Sequence, residues 1–281
     1  MNVRVSAIRK PASAESGMFR VLLWVILAIL GVGFGGTSAS AASTGHQGQE
    51  TAVFRLEFDP RDGAVVEELE TCLSKGTELI EAYFGEPFRA GIVVEVYPSR
   101  DAFNASFPPE WGMSETACWM VAAGVTDRLI VLSPRVWEEE ACEHDPNDTQ
   151  HVQDIVVHEL VHVFHGQHNP TGDFTGAEEV GWFVEGLAVH VSGQLGHGHL
   201  AEPREAIEQG VAPTRLVDAW YGKYRYGVSG SLVAFMDVTY GREVIRRMLA
   251  ATHQAELLAL AGVTEGELLD QWRQYVMAES P

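Results

Sequence analysis

The chain has 281 residues, of which 46% are hydrophobic and 21% charged, so it can bury a sizeable core and does not have the composition of a disordered protein. Its formal net charge of −20 argues against nucleic acids and anionic membrane surfaces as partners. None of its three cysteines has zinc-finger spacing. Two of them can pair in an oxidising compartment, and the sequence leaves the pairing among Cys72, Cys118 and Cys142 open.

Residues 1–42 have the three-part layout of a secretory signal. Four basic residues precede an uncharged apolar run at 21–34, and the small residues that follow contain an A-x-A cleavage pattern at 39–41. The apolar run is shorter than the roughly 20 residues that span a bilayer. We therefore expect an exported protein in which 1–42 is a signal peptide or an N-terminal anchor, with membrane contact only through a retained anchor.

The next part of the chain is rich in predicted strands. Residues 43–52 have the polar, small-residue composition of a flexible lead-in. Alternating or continuous apolar runs bounded by turn residues then predict strands, and apolar positions at helical spacing predict helices. The predicted strands are 53–58, 91–97, 117–122 and 128–132, the last two forming a hairpin around Gly124, and the predicted helices are 64–84 and 101–107.

The second half of the chain has mostly helical periodicity. Helices are predicted at 149–167, 177–192, 216–220, 229–240, 242–253 and 265–277, with a loop rich in glycine and histidine at 193–199. This order predicts an α+β fold in which a small N-terminal antiparallel or mixed sheet, with helices packed on it, precedes a mostly helical C-terminal half. Residues 53–281 are expected to form one domain.

The clearest chemical signal is the sequence H-E-L-V-H from His158 to His162. Histidines four residues apart lie on the same face of a helix, one turn apart, so both imidazoles can reach one zinc ion. Glu159 is placed to lean over the metal and take a proton from an attacking water. The motif lies within an apolar helix, where unpartnered polar groups are costly, which favours a metal site over a surface pair of histidines.

A third metal ligand is predicted on the following helix. Glu185 lies among apolar residues in the sequence G-W-F-V-E-G-L-A, and a buried acid in such surroundings needs a partner such as a cation. The alternative is His168, ten residues after His158, which is the spacing of the longer motif H-E-x-x-H-x-x-G-x-x-H. That longer motif needs glycine where this chain has His165.

Other histidines and acids are candidates for supporting roles. His165 shares the ligand face of its helix and could line a cleft, although a helix-capping role is slightly favoured. His190 is expected to point away from the metal, and His197 and His199 are expected to be solvated. The free imidazole nitrogens of the two metal ligands need acceptors, for which the candidates are Glu178, Glu179 and Asp218.

The H-E-L-V-H motif and the later sequence W-F-V-E-G-L-A resemble the gluzincin metallopeptidases, in particular the peptidase MA-like members. The resemblance covers about 53–277, and it includes V-E-V-Y-P-S-R-D-A-F at 94–103, L-I-V-L-S-P at 129–134 and Y-G-V-S-G-S-L-V-A-F-M at 226–236. It implies a zincin-like fold and a peptide or protein substrate.

The same resemblance implies a set of site residues. One zinc ion per chain would be held by His158, His162 and Glu185, with Glu159 as the general base. Many gluzincins add a tyrosine or histidine that steadies the oxyanion, and Tyr226 fits that position best. Its rivals are Tyr224 and Tyr221.

Two hypotheses from other classes remain open beside the zinc peptidase. One is a zinc-stabilised binding protein without turnover, in which Glu159 has no chemical role. The other is an extracytoplasmic metal carrier that draws on the many histidines of the chain. The intact Glu159 argues against the first, and a metal content above one ion per chain would favour the second.

Overall fold

A mixed β-sheet forms the N-terminal part of the computed structural model, which describes residues 47–50, 53–108 and 113–278. Its strand order is β1-β2-β3-β5-β4. The pairs β2–β3 and β3–β5 are parallel, whereas β4 pairs antiparallel with β5 at one edge and β1 pairs antiparallel with β2 at the other. The strands are β1 Gln47–Glu50, β2 Phe54–Phe58, β3 Ile92–Tyr97, β4 Ala122–Val125 and β5 Arg128–Leu132.

Ten α-helices accompany the sheet within the described ranges and make up most of the C-terminal half, which confirms the predicted α+β class. They are α1 Gly63–Phe84, α2 Arg100–Ala105, α3 Trp137–Glu140, α4 Thr149–His168, α5 Gly181–Ser192, α6 Glu202–Glu208, α7 Arg225–Tyr240, α8 Arg242–Met248, α9 Gln254–Ala261 and α10 Glu265–Ala278. Four predictions in this half of the chain need correction. The segment at 193–199 contains a π-helical turn at Leu195–His199, and the helix predicted at 216–220 is a 3₁₀ turn at Leu216–Asp218. Helix α7 begins four residues before the predicted start, and α8 ends at Met248.

The edge strand β4 lies further along the chain than predicted, because Gly124 belongs to the strand and not to the hairpin turn. A Cβ atom at Gly124 would lie 2.1 Å from the main-chain oxygen of Glu159, so only glycine lets β4 approach α4 this closely. The strand therefore runs directly beside the turn of α4 that carries the H-E-L-V-H motif.

Helix α5 packs against both α4 and α7, and it thereby connects the two halves of the site. The contact with α7 is close at Gly186, where a Cβ atom would lie 2.4 Å from the main-chain oxygen of Ser229. Helix α5 is buried almost throughout and has an apolar sequence, as expected for a helix enclosed by others. Glu185, next to Gly186, is consequently held deep between α4 and the start of α7.

The open question of cysteine pairing has an answer in the structure. Cys118 and Cys142 form a disulfide with Cα atoms 5.3 Å apart, and Cys72 is buried as a free thiol. The disulfide ties the segment before β4 to the segment before α4. A crosslink that closes a loop of this length contributes about 3 kcal/mol to stability in the chain-entropy account.

Two findings concern the N-terminal predictions. Gln47–Glu50 forms strand β1, so the prediction of a flexible lead-in at 43–52 is wrong for these four residues, because their main chain pairs with β2. The predicted signal or anchor at 1–42 lies outside the described residues. Among the helices that the structure describes, none is long and apolar enough to cross a membrane.

Candidate metal centre

Three side chains from two helices converge at one point. The Nε2 atoms of His158 and His162 lie 3.1 Å apart, and the Oε2 atom of Glu185 lies 3.4 Å from the first and 3.5 Å from the second. Three ligands bound to one tetrahedral zinc ion at about 2.0–2.1 Å would be separated by about 3.3–3.5 Å. The spacing of these three atoms therefore fits a zinc ion, and two imidazoles with a carboxylate are a donor set that zinc uses.

The pKa shifts of Glu185 and His162 are those expected when a positive charge lies between the two side chains. Burial alone would raise the pKa of Glu185, but the adjacent His162 and the hydrogen bonds from both histidines hold it well below its usual range. Burial lowers the pKa of His162, but the charge of Glu185, the hydrogen bond to Glu185 and the charge of Glu159 together outweigh burial and raise that pKa. A carboxylate that stays ionised against two converging nitrogens is a site for a cation.

Glu159 is held in place by the edge strand. Its Oε2 atom accepts a hydrogen bond of 2.8 Å from the main-chain N–H of Gly124. The same glycine allows β4 to lie against α4, so a single residue both brings the strand close and orients the carboxylate. Glu159 lines a cavity of about 130 Å³ together with His158, His162 and Glu185, which we call the metal cavity.

Tyr226, at the first turn of α7, lines the metal cavity as well. It is half-buried, and its ring lies edge-on to Trp220 at 4.9 Å and stacks on His199 at 5.1 Å between centroids. Burial raises the pKa of its hydroxyl, which the nearby Arg225 lowers and the charge of Glu185 raises, so the group is protonated at neutral pH. Of the rival tyrosines, Tyr221 is exposed and Tyr224 contacts Lys223, and neither lines the metal cavity.

The acceptor for one free imidazole nitrogen is Gln194, a residue that the sequence reading missed. The Nδ1 atom of His158 lies 2.8 Å from Oε1 of Gln194 in the segment after α5. The candidates Glu179 and Asp218 are wrong: Glu179 is exposed, and Asp218 is paired with Arg215. Among the described residues, a buried carboxylate oxygen of Glu178 has no hydrogen-bond partner, and neither has the Nδ1 atom of His162. No hydrogen bond joins these two atoms.

The alternative third ligand, His168, lies away from the metal cavity. Its Nδ1 atom is 2.7 Å from the carbonyl oxygen of Phe164, its ring stacks on Phe164, and its Nε2 atom is 3.6 Å from Glu86. Among the described residues, the group of three that can share a metal ion is His158, His162 and Glu185. Helix α4 continues to His168 without the turn that would bring this histidine back to the motif.

His165 does not line the cleft, since its Nε2 atom lies 3.1 Å from the carbonyl oxygen of Leu249 and its ring packs between Phe174 and Phe183. His190 points away from the site, as predicted, and contacts Asp237 at 3.1 Å.

The prediction of a solvated side chain is confirmed for His197, which is exposed, and is wrong for His199, which is half-buried. His197 contacts the buried carboxylate of Asp154 at 2.7 Å, and His199 is packed on Tyr226. Both contacts come from the π-helical turn, which folds this segment back onto α4 and α7 and so brings its histidines to the site.

A second cavity adjoins the metal cavity and shares six lining residues with it, namely Trp119, Met120, Ala122, His158, Glu159 and Tyr226. It has a volume of about 280 Å³, and we call it the side cavity. Its other lining residues include Arg225, Gln194 and His199, which the sequence reading did not assign to the site, and His144 and His151. No local motif marks these residues, because the disulfide, the π-helical turn and the start of α7 bring them together.

Comparison with known proteins adds no relative: no family model matches the chain, and no curated protein matches it. The gluzincin resemblance therefore rests on the residues of α4 and α5 and on the geometry that these helices create. Two helical imidazoles and a carboxylate, with a second carboxylate beside them, are a donor set that can hold a metal ion.

Proposed function

We propose that this chain is an exported zinc-dependent metallohydrolase, with a zincin-like fold, that cleaves peptide bonds. The observation that carries the proposal is the convergence of His158, His162 and Glu185 at zinc-ligand spacing, with Glu159 beside them in the same cavity. Three protein ligands leave a fourth position on zinc open, which is the arrangement of catalytic rather than structural zinc sites.

His158, His162 and Glu185 would hold one zinc ion per chain. When bound there, zinc supplies Lewis acidity that polarises a carbonyl oxygen and acidifies a water molecule. Glu159 takes the proton from the attacking water and delivers it to the nitrogen of the leaving amine, as a general base and then a general acid. The N–H of Gly124 keeps this carboxylate at the metal cavity throughout, so the proton transfers need no movement of α4.

Tyr226, which also lines the metal cavity, completes the proposed chemistry. Its protonated hydroxyl can donate a hydrogen bond to the oxygen on which negative charge develops as the carbonyl is attacked. The stacked ring of His199 and the edge-on ring of Trp220 fix the phenol, which reduces the conformational cost of that hydrogen bond.

The alternative of a histidine-rich metal carrier finds little support in the contacts of the other histidines. His144 and His151 contact each other at 2.8 Å, and His144 also contacts the carbonyl oxygen of Trp119 at 2.7 Å. His165 and His168 contact main-chain carbonyls, and His197 contacts Asp154. These nitrogens are engaged in the fold, so metal binding by several histidines would require them to leave stabilising partners.

Export is supported by two features of different kinds. The signal-like layout of residues 1–42 is one, and the Cys118–Cys142 disulfide is the other, since such bonds persist mainly in oxidising compartments.

The variant Glu159→Gln tests the mechanism, since an amide oxygen can still accept the Gly124 hydrogen bond while the side chain no longer takes up a proton. We expect full zinc content, and a loss of peptide hydrolysis by about 10²–10⁴-fold relative to the parent protein. Hydrolysis of a peptide mixture read by mass spectrometry, beside metal analysis, measures both quantities. Glu179→Gln, an exposed acid at the start of α5, is the matched control. Full hydrolysis by a zinc-loaded Glu159→Gln protein would contradict the mechanism.

A further inference from the structure

Arg225 presents a positive charge to the side cavity, directly beside the metal cavity. It is the first residue of α7, and it lines the side cavity together with Tyr226 and Trp119. Its guanidinium carbon lies 4.9 Å from the ring centroid of Tyr226, 5.9 Å from that of Trp220 and 6.0 Å from that of Trp119. Three aromatic rings therefore hold the guanidinium group in one orientation without neutralising its charge.

The lack of a carboxylate partner is unusual for an arginine in so acidic a chain. The protein has 39 acidic and 19 basic residues, so carboxylates outnumber basic side chains. Most arginines in the described ranges form an ion pair with one. None of the ion pairs among the described residues includes Arg225. Its neighbour across the start of α7, Glu202, accepts a hydrogen bond from the N–H of Gly227 and lies 3.0 Å from His199.

The acids that do line the side cavity leave the charge of Arg225 available. Glu159 accepts the Gly124 hydrogen bond at the metal end, and Glu143 is exposed and forms none of the ion pairs among the described residues. With zinc bound, its two positive charges offset the negative charges of Glu159 and Glu185. Glu143 is the remaining acid of the side cavity and is exposed, so Arg225, half-buried at the cavity wall, is the basic side chain that a substrate entering this cavity would meet.

We propose that Arg225 is a specificity residue that binds a carboxylate group of the substrate in the side cavity. The inference rests on the proposed function, since it places the scissile bond in the metal cavity and the carboxylate next to it. A guanidinium group offers a planar fork of donors that matches a carboxylate with two parallel hydrogen bonds, and stacking on aromatic rings fixes that plane. A peptide supplies this chemistry from its free C-terminus or from an aspartate or glutamate side chain.

Three peptide hydroxamates of one sequence test the proposal, because the hydroxamate anchors each probe on zinc without being cleaved. The first ends in a free carboxylate, the second ends in a carboxamide, and the third ends in a carboxamide but has aspartate at its last position. Calorimetric titration of the zinc-loaded full chain gives the three dissociation constants. We expect at least one carboxylate probe to bind about tenfold or more tightly than the neutral probe. The tighter of the two identifies the source of the carboxylate.

The variants separate Arg225 from general effects on the fold. Arg225→Gln should abolish the preference for the carboxylate while it leaves the affinity for the neutral probe unchanged, which also reports an intact site. Arg225→Lys should keep part of the preference, because it keeps the charge but not the planar fork. Arg247→Gln, an exposed arginine of α8, is the matched control and should keep all of it.

Two outcomes would overturn the proposal in distinguishable ways. Equal binding of all three probes by the parent protein, or an undiminished preference in Arg225→Gln, would remove the role of Arg225 and leave the zinc hydrolase intact. Binding of no probe by the parent protein would instead contradict the proposed zinc site, and the role of Arg225 would fall with it.

Discussion

Helix α4 carries two pairs of buried histidines whose ring nitrogens make different contacts. His158 and His162 direct their Nε2 atoms at each other and at Glu185, across a gap of 3.1–3.5 Å. His165 and His168, at most ten residues further along the same helix, each place one nitrogen on a main-chain carbonyl. His168 stacks on Phe164, and His165 contacts Phe174 edge-on. All four residues are buried, so burial does not distinguish a ligand from a packing residue.

The difference between the pairs lies in what their nitrogens face. At His165 and His168 one ring nitrogen faces a main-chain carbonyl oxygen, to which an imidazole N–H can donate, and the second nitrogen of His168 faces the single carboxylate of Glu86 at 3.6 Å. At His158 and His162 two nitrogens and a carboxylate oxygen face one another, and these acceptors need a proton or a metal ion between them. The converging carboxylate, rather than the histidine pattern alone, is what marks a metal site.

Three further predictions sharpen this contrast, and the largest of their effects is expected at a pair of tyrosines. Tyr226 faces the metal cavity and Tyr224 does not. Tyr226→Phe should lower kcat for peptide hydrolysis about 10²-fold with little change in KM, because the hydroxyl acts on the transition state. Tyr224→Phe should change neither constant. Steady-state kinetics of both variants make the test, and an equal effect of the two substitutions would mean that Tyr226 has only a packing role.

An intermediate effect is expected at the nitrogens that face away from the metal. Nδ1 of His158 is held by Gln194, whereas no described residue bonds Nδ1 of His162. Gln194→Ala should weaken zinc affinity about tenfold, since a hydrogen bond to a ligand imidazole fixes its orientation and tautomer. Competition with a zinc indicator gives the dissociation constant, and the exposed Gln209→Ala is the control. Unchanged affinity in Gln194→Ala would exclude a positioning role.

The smallest effect is a dependence of stability on pH that belongs to the packing pair. Burial, reinforced by nearby His162, lowers the pKa of His165 to about 3. Because that pKa lies below the unfolded value of 6.5, acidification from pH 6.5 towards 3 protonates the unfolded chain first and destabilises the fold.

His165→Gln removes this titration and keeps a donor for the carbonyl of Leu249. We expect a lower free energy of unfolding at pH 8, from the lost ring packing, and a shallower loss of stability between pH 6.5 and 4. The slope should fall by up to about 1.4 kcal/mol per pH unit. Urea unfolding of chelator-treated parent and variant across this range measures it, and identical slopes would mean that His165 is accessible to protons.

The sequence predicted the parts of the site that a single element encodes. Residues four apart in an apolar helix must share a face, so His158 and His162 could be placed together and Glu159 beside them. The assignment of Glu185 needed one further step, the cost of burying an acid among apolar neighbours. The strands at 53–58 and 91–97 and the helix at 64–84 were similarly readable from local periodicity, and the structure differs there by one residue.

The rest depends on contacts between distant segments. Gly124 reads as a turn glycine, and its place in a strand follows from the approach of β4 to α4. Gln194 and His199 lie in a stretch that looks like a solvated loop and forms a π-helical turn that reaches the site. Arg225 gave no signal, because its distinguishing features are three aromatic rings around it and the lack of an ion pair with any described carboxylate, and both are properties of the packed structure.

The contrast along α4 is tested most directly by metal analysis of four alanine variants, at His158, His162, His168 and Glu185. After purification in the presence of zinc and removal of weakly bound metal, the parent protein should retain one zinc ion per chain. The variants His158→Ala, His162→Ala and Glu185→Ala should retain almost none, whereas His168→Ala should retain as much as the parent. Full zinc content in Glu185→Ala, or its loss in His168→Ala, would contradict the metal centre described for this protein.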